Sequence, residues 1–73
     1  MTTSIYTNEY KIVLKRLREA RNEANLMQVD VAKRLNKPQS YVSKIERGDR
    51  RIDVAELSIL AKIYKKSLDY FIK

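Results

Sequence analysis

The sequence predicts an all-α protein built as one small domain. Glycine and proline each occur once in 73 residues, and the abundant Leu, Ala, Lys, Arg and Glu residues favour helices. A chain of this length has room for one hydrophobic core, and its 44% hydrophobic content argues against disorder. We therefore expect a single domain over residues 8–73, preceded by a short N-terminal arm of residues 1–7.

The first predicted helix runs from about Asn8 to Ala24. Thr7 precedes it and can cap its start, because the hydroxyl oxygen can accept a hydrogen bond from a free backbone N–H group. Asn25 follows it and tolerates the left-handed backbone conformation in which helices often stop. Residues at helical spacing form one apolar stripe along this helix: Tyr10, Val13, Leu14, Leu17 and Ala20.

Two shorter helices are predicted next, over about Gln28–Leu35 and Gln39–Arg47. The three residues between them end in Pro38, which cannot lie inside a helix but suits the start of one. Gly48 then provides a left-handed stop for the second helix of the pair. The inward-facing positions are expected to be Val31, Ala32 and Leu35 in the first helix of the pair, and Val42 and Ile45 in the second.

The remaining sequence predicts a fourth helix and a short fifth one. Asp53 and Glu56 have the spacing of a capping box, and the helix that they begin is expected to run to about Lys65. The inward positions of this helix are predicted to be Val54, Leu57, Leu60, Ala61 and Tyr64. Ser67 can cap the last helix, whose apolar residues are Leu68, Phe71 and Ile72.

Composition excludes several classes of site. Cysteine and histidine are both absent, so disulfides and the common zinc sites cannot form, and we expect no metal or other cofactor. Without a histidine to activate a serine, the sequence does not predict an enzyme. No segment approaches the roughly 20 apolar residues of a membrane span, and the start of the chain does not resemble a signal peptide. We therefore expect a cytoplasmic protein.

The charge distribution indicates a polyanionic partner. The net charge is +7, from 16 basic and 9 acidic residues. Seven basic residues and two acidic ones fall between positions 33 and 51, so most of the excess charge lies in the middle of the chain. Nucleic acid is the first candidate partner. An anionic membrane surface is the second, although the apolar face of the first helix is already accounted for as core.

The middle of the chain also has the organisation of a helix-turn-helix. Two short helices joined by a tight turn, the second with a polar and basic outer face, are typical of this motif. The outer face is expected to carry Gln39, Ser40, Ser43, Lys44 and Arg47. In such a motif the second helix lies in the DNA major groove, where each base pair presents its own pattern of hydrogen-bond donors and acceptors.

The segment LMQVDVAKRLNKPQSYVSKIERG, residues 26–48, resembles the phage-repressor and Cro-type helix-turn-helix family, often called XRE-type. Matches continue upstream at Leu17, Arg18 and Arg21, and downstream in AELSILAKIYKKSLDYFI, residues 55–72. The resemblance implies a compact five-helix fold like that of lambda repressor, with the helix-turn-helix at the second and third helices. It also implies binding to a specific sequence of double-stranded DNA.

The resemblance assigns roles to individual residues. The base-reading positions of the family correspond to Gln39, Ser40, Ser43 and Lys44. The positions that contact the DNA backbone correspond to Gln28, Lys37, Tyr41, Arg47, Arg50 and Arg51. Arg21 and Glu46 match an arginine–glutamate pair that joins the first and third helices in related repressors.

The chain departs from the family pattern near its turns. Asn25 and Asn36 stand where relatives often have glycine, and asparagine can adopt the same left-handed geometry. Met27 replaces a Thr or Ser, so we expect the start of the second helix to be less well capped. Pro38 replaces a common Ser or Thr, so the DNA preference cannot be copied from a relative.

The leading hypothesis is a homodimeric transcriptional regulator, bound at the nucleoid, that reads an inverted repeat with half-sites about one helical turn apart. Leu68, Phe71 and Ile72 are the candidate dimer patch. The alternative is a protein-interaction module such as an antitoxin, with a toxin as its main partner, although the polar and basic third helix favours DNA. A prophage repressor, a restriction–modification controller and an autoregulating antitoxin all fit the sequence.

Overall fold

Five helices account for most of the computed structural model, which describes residues 7–72. Helix α1 is Asn8–Glu23, α2 is Gln28–Leu35, α3 is Gln39–Arg47, α4 is Val54–Tyr64 and α5 is Leu68–Ile72. The predictions of an all-α chain and of its five helices are confirmed, and no strand occurs in the described range. The expected N-terminal arm of residues 1–7 lies outside the described residues apart from Thr7.

The starts of the two longest helices, α1 and α4, are each capped by a side chain. Thr7 Oγ1 accepts a hydrogen bond from the Tyr10 N–H at 3.1 Å. Asp53 Oδ1 accepts from the Glu56 N–H at 2.8 Å, and Glu56 Oε1 accepts from the Asp53 N–H at 3.0 Å, which completes the predicted capping box.

The start of α2 is capped in part, although we expected it to be less well capped than in relatives. The Met27 side chain makes no capping hydrogen bond, as predicted. Asp30, in the first turn, turns its Oδ2 back to accept the Met27 N–H at 2.8 Å. This is the reciprocal half of a capping box, and it also places a negative charge near the positive end of the helix dipole.

Residues with positive φ end the helices. Asn25, Asn36 and Gly48 have φ of 59°, 58° and 84°, which confirms the left-handed stops predicted there. A side chain at Gly48 would be disfavoured by the positive φ and also by crowding, because its Cβ would lie 3.1 Å from Leu14 Cδ1 of α1. Lys65 ends α4 with a φ of 59°. The sequence did not signal this stop, because lysine has no particular preference for left-handed geometry.

The core is built where α1 crosses the other helices, packing against α3 and α5, while α2 packs on α3. The largest fully buried side chains are Leu17, Val31, Ile45 and Phe71, one from each of α1, α2, α3 and α5. Helix α4 adds Leu57, Leu60, Ala61 and Tyr64. Apolar burial of these helix faces is the main force that holds the domain together.

Two predicted packing positions are wrong. Val54 was expected to face inward, but it is 71% exposed. It is the first residue of α4, and the exposure of its neighbour Ala55 shows that this turn extends beyond the packed helices. Phe71 was expected in a surface patch for dimerisation, but it is fully buried between the helices. Of that candidate patch only Leu68 and Ile72 remain exposed.

Phe71→Ala should lower the free energy of unfolding by about 3–5 kcal/mol, because it removes a fully buried ring and leaves a cavity. The ring also loses its edge-to-face contact with Tyr70, at 5.0 Å between centroids. Urea denaturation followed by circular dichroism measures the loss. The matched control is Val54→Ala, 71% exposed, which should change the same quantity by less than about 0.5 kcal/mol. Equal losses in the two variants would contradict the packing of α5.

Candidate nucleic-acid interface

The turn between α2 and α3 sets the angle at which α3 leaves the core. After the left-handed Asn36, the Lys37 N–H donates to the Ala32 carbonyl at 2.9 Å and folds the chain back over the end of α2. Pro38 is extended, with φ −71° and ψ 157°, and its carbonyl accepts the Tyr41 N–H at 3.0 Å to begin α3. Val42 and Ile45 are then buried, so the opposite side of α3 faces solvent.

The solvent face of α3 is polar and cationic. Its exposed side chains are Gln39, Ser40, Lys44 and Arg47, with Ser43 half-buried at the edge. The acidic residue of this helix, Glu46, is on the buried side. Four of the five predicted outer-face residues therefore lie together on an open surface, and Ser43 has less access to a partner.

A chain of hydrogen bonds runs from this face into the domain. Gln39 Nε2 donates to Gln28 Oε1 at 3.2 Å, and Gln28 Nε2 donates to Glu46 Oε1 at 3.0 Å. An ionised carboxylate can only accept hydrogen bonds, so Gln28 has to turn its amide nitrogen to Glu46 and its amide oxygen to Gln39. Because Gln28 presents its amide oxygen, Gln39 has to point its amide nitrogen inward. Its Oε1 is then left to accept a hydrogen bond from a partner outside the domain.

The same carboxylate joins α1 to α3. Arg21 Nε lies 2.8 Å from Glu46 Oε2, and Arg21 Nη2 donates to Glu46 Oε1 at 3.1 Å, which makes a two-point pair. The hydrogen bond from Glu46 raises the pKa of Arg21 above its ordinary value. Arg21 Nη1 also donates to the Leu26 carbonyl at 3.0 Å, and Arg18 Nη1 donates to the Glu46 carbonyl at 2.8 Å. Glu46 itself is only 4% exposed.

Tyr41 and Arg50, predicted to contact the DNA backbone, share the carboxylate of Glu56. The Tyr41 hydroxyl donates to Glu56 Oε2, and Arg50 Nη1 donates to Glu56 Oε1 at 3.1 Å. The Arg50 guanidinium lies 4.6 Å from the centroid of the Tyr41 ring, and Lys37 Nζ lies 5.3 Å from it. Three of the predicted backbone contacts thus form one cluster beside α3.

Glu56 holds this cluster and was missed as part of the site. Burial acts to raise its pKa, but hydrogen bonds from Arg50 and Tyr41 outweigh it and lower the pKa of Glu56 to about 2. Burial, followed by the bond to Glu56, raises the pKa of Tyr41. The capping-box spacing was the signal that located Glu56, but it indicates only a backbone partner and not Tyr41 or Arg50.

The last two predicted backbone contacts lie on different parts of the surface. Arg47 is in the last turn of α3 and pairs with Asp49 at 3.0 Å, with both side chains largely exposed. The Arg51 guanidinium lies 6.0 Å from the centroid of the Tyr10 ring, over the first turn of α1. Arg51 also lines a cavity with Glu9 and Ile72, so the structure does not bring it to the face of α3.

Neither a membrane-spanning helix nor a metal-binding cluster is found among residues 7–72. The helices in this range are too short or too polar to cross a bilayer. The acidic side chains in it do not gather in a group of three or more that could hold a metal ion.

Glu46→Gln should lower the free energy of unfolding by about 3–5 kcal/mol, because it leaves the guanidinium of Arg21 in a partly buried position without its counter-charge. The matched control is Asp49→Asn, which removes the charge from an exposed pair and should cost less than about 1 kcal/mol. Chemical denaturation of both variants measures the difference. Equal and small losses would mean that the buried pair does not stabilise the domain.

The low pKa of Glu56 predicts a loss of stability in acid. A carboxyl group whose folded pKa is about 2, below its unfolded value of about 4.3, stabilises the fold above the unfolded value. That contribution should disappear as the pH falls from about 4.5 towards 2. Thermal unfolding of the wild type and of Glu56→Gln across this range measures it. The two proteins should converge at low pH, and parallel curves would contradict the prediction.

Comparison with known proteins agrees with this geometry. The model of one protein family, described as helix-turn-helix, matches residues 17–71. The chain is also similar to the HTH-type transcriptional regulator PrpR of Mycobacterium tuberculosis, with 41% identity over 56 residues, which is 77% of this chain and 12% of that regulator. The chain thus spans about an eighth of the length of that relative. The match over most of the chain confirms the resemblance, and the protein belongs to the phage-repressor and Cro-type (XRE) helix-turn-helix family.

Proposed function

We propose that this chain reads a specific sequence of double-stranded DNA by placing α3 in the major groove, and that it regulates transcription as a homodimer on an inverted repeat. The observation that supports this most is the exposed polar and cationic face of α3, whose first residue has its amide oriented from within the fold. The major groove admits one helix, and side chains on its outer face reach the base edges.

Gln39 is proposed to read adenine. One of its N–H groups is used by Gln28, which leaves Oε1 as an acceptor and the second N–H as a donor. Adenine presents the complementary pair in the major groove, the N6 amino donor and the N7 acceptor. Lys44 is proposed to donate to guanine O6 or N7, while Ser40 and Ser43 supply hydroxyls that suit either kind of base pair.

The backbone contacts are proposed to flank this reading face. Gln28 is proposed to contact a phosphate together with the N–H groups at the start of α2 that the Asp30 carboxylate does not occupy. Lys37, Tyr41 and Arg50 form a cationic cluster near the start of α3, and Arg47 lies near its end. Arg51 is proposed as a more distant phosphate contact, with residues 8–73 acting as one DNA-binding domain and residues 1–7 as its arm.

A dimer is proposed because a domain of this size reads only one half-site, and a two-fold pair reads a palindrome. Leu68 and Ile72 remain as its candidate surface after the burial of Phe71. Such a regulator acts at the nucleoid, in the cytoplasm. The competing proposal is an antitoxin whose main partner is a toxin, and the experiment below separates the two.

Selection of bound sequences from a random duplex library should recover an inverted repeat. On that site Gln39→Ala should lose about 1–3 kcal/mol of binding free energy and relax the base preference at one position per half-site. The matched control is Arg47→Ala, which should weaken selected and random duplexes alike and lower the slope of log Kobs against log salt by about 1.

Two results would contradict the proposal. Equal losses for Gln39→Ala on selected and random DNA would mean that α3 is not the reader. Recovery of no motif by a folded wild-type protein that co-purifies with a stoichiometric protein partner would favour the antitoxin function instead.

A further inference from the structure

A row of cations lies on α1, outside the helix-turn-helix. Lys11, Lys15 and Arg18 are spaced four and three residues apart, which puts them next to one another on one side of the helix. Of the acidic residues of α1, Glu9 and Glu23 do not follow this spacing. Glu19 lies four residues after Lys15, but it forms no ion pair with it and does not line the cleft described below. The row is therefore a continuous strip of positive charge along about 10 Å of helix.

The row lines an open cleft between α1 and the end of α3. The cleft contains five cations, the three of the row with Arg21 and Arg47, and two acids, Glu46 and Asp49. Both acids are already paired, Glu46 with Arg21 and Asp49 with Arg47. The positive charge left over in the cleft is that of the row on α1.

Neither lysine of the row is held in an ion pair in the described part of the chain. Lys11 and Lys15 belong to none of the ion pairs among residues 7–72. Like charges at this spacing repel each other, so placing Lys11 beside Lys15 does not stabilise α1. Arg18 Nη1 donates to the Glu46 carbonyl at 2.8 Å, which holds the row at a fixed distance from α3.

We propose that Lys11, Lys15 and Arg18 bind phosphates of the DNA strand that borders the groove occupied by α3, as a continuation of the contact made by Arg47. This inference rests on the proposed function. It fits in length. Successive phosphates of one strand are farther apart than their rise of about 3.4 Å along the helix axis, because the strand also winds around that axis, so a row of about 10 Å can face about two of them. The contact is to phosphate alone and carries no information about base sequence.

The test measures the salt dependence of binding for Lys11→Ala/Lys15→Ala on the duplex selected by the wild type and on a scrambled duplex. Arg18 is left intact because it contacts α3. The matched control is Lys62→Ala/Lys65→Asn, which removes the same charge from the end of α4, away from the cleft. Asparagine tolerates the positive φ of Lys65. Circular dichroism confirms that both variants are folded, and Lys11→Arg/Lys15→Arg tests rescue by charge.

The slope of log Kobs against log salt should fall by about 1.8 for the α1 variant, at about 0.9 for each phosphate, and equally on both duplexes. The control and the arginine variant should keep the wild-type slope. If the wild type selects a motif but the α1 variant keeps its slope, or loses affinity on the selected duplex alone, this inference is wrong and the proposed function stands. A wild type that selects no motif and binds without salt dependence would overturn both.

Discussion

The arrangement of the domain depends on one buried carboxylate. Glu46 lies on the inner side of α3, where an ionised group is costly unless its oxygens are hydrogen-bonded and its charge is paired. Arg21 supplies the charge from α1, and Gln28 supplies an amide from the start of α2. The Leu26 carbonyl accepts a hydrogen bond from Arg21 Nη1, the guanidinium nitrogen that does not bind Glu46. Three helices therefore meet at one acid. A shift of α1 against α3 would strand a charge, and a shift of α2 would break the hydrogen bond from Gln28.

This requirement connects stability to recognition. Apolar contacts through Val42 and Ile45 attach α3 to the core, but contacts of this kind have no direction and tolerate sliding. The hydrogen bonds of Glu46 do have direction, and they extend through Gln28 to Gln39, the first residue of the exposed face of α3. The side chain proposed to read DNA is thus held in place before DNA arrives, which would reduce the conformational entropy lost on binding.

Local signals in the sequence were sufficient for the helices and for most of their ends, the left-handed stop at Lys65 being the exception. The three-residue break at 36–38, the glycine at 48 and the Asp53–Glu56 spacing act over a few residues, and the structure has each helix boundary within a residue of its predicted place. Packing beyond one helix was harder to predict. The apolar pattern correctly marks Val54 and Phe71 as hydrophobic, but whether a neighbouring helix covers such a side chain depends on the tertiary arrangement.

The hydrogen-bond networks of the candidate site could not be predicted from the sequence for a related reason. Contacts between Gln28 and Gln39, or between Tyr41 and Glu56, join residues 11 and 15 positions apart on different helices, and no local pattern encodes them. They also bear on redesign. A recognition helix transplanted from a relative would bring its own residue at position 39 but meet the Gln28 of this scaffold, so position 28 has to travel with the graft. Ser40 and Lys44, which have no such tether, are the positions to randomise first.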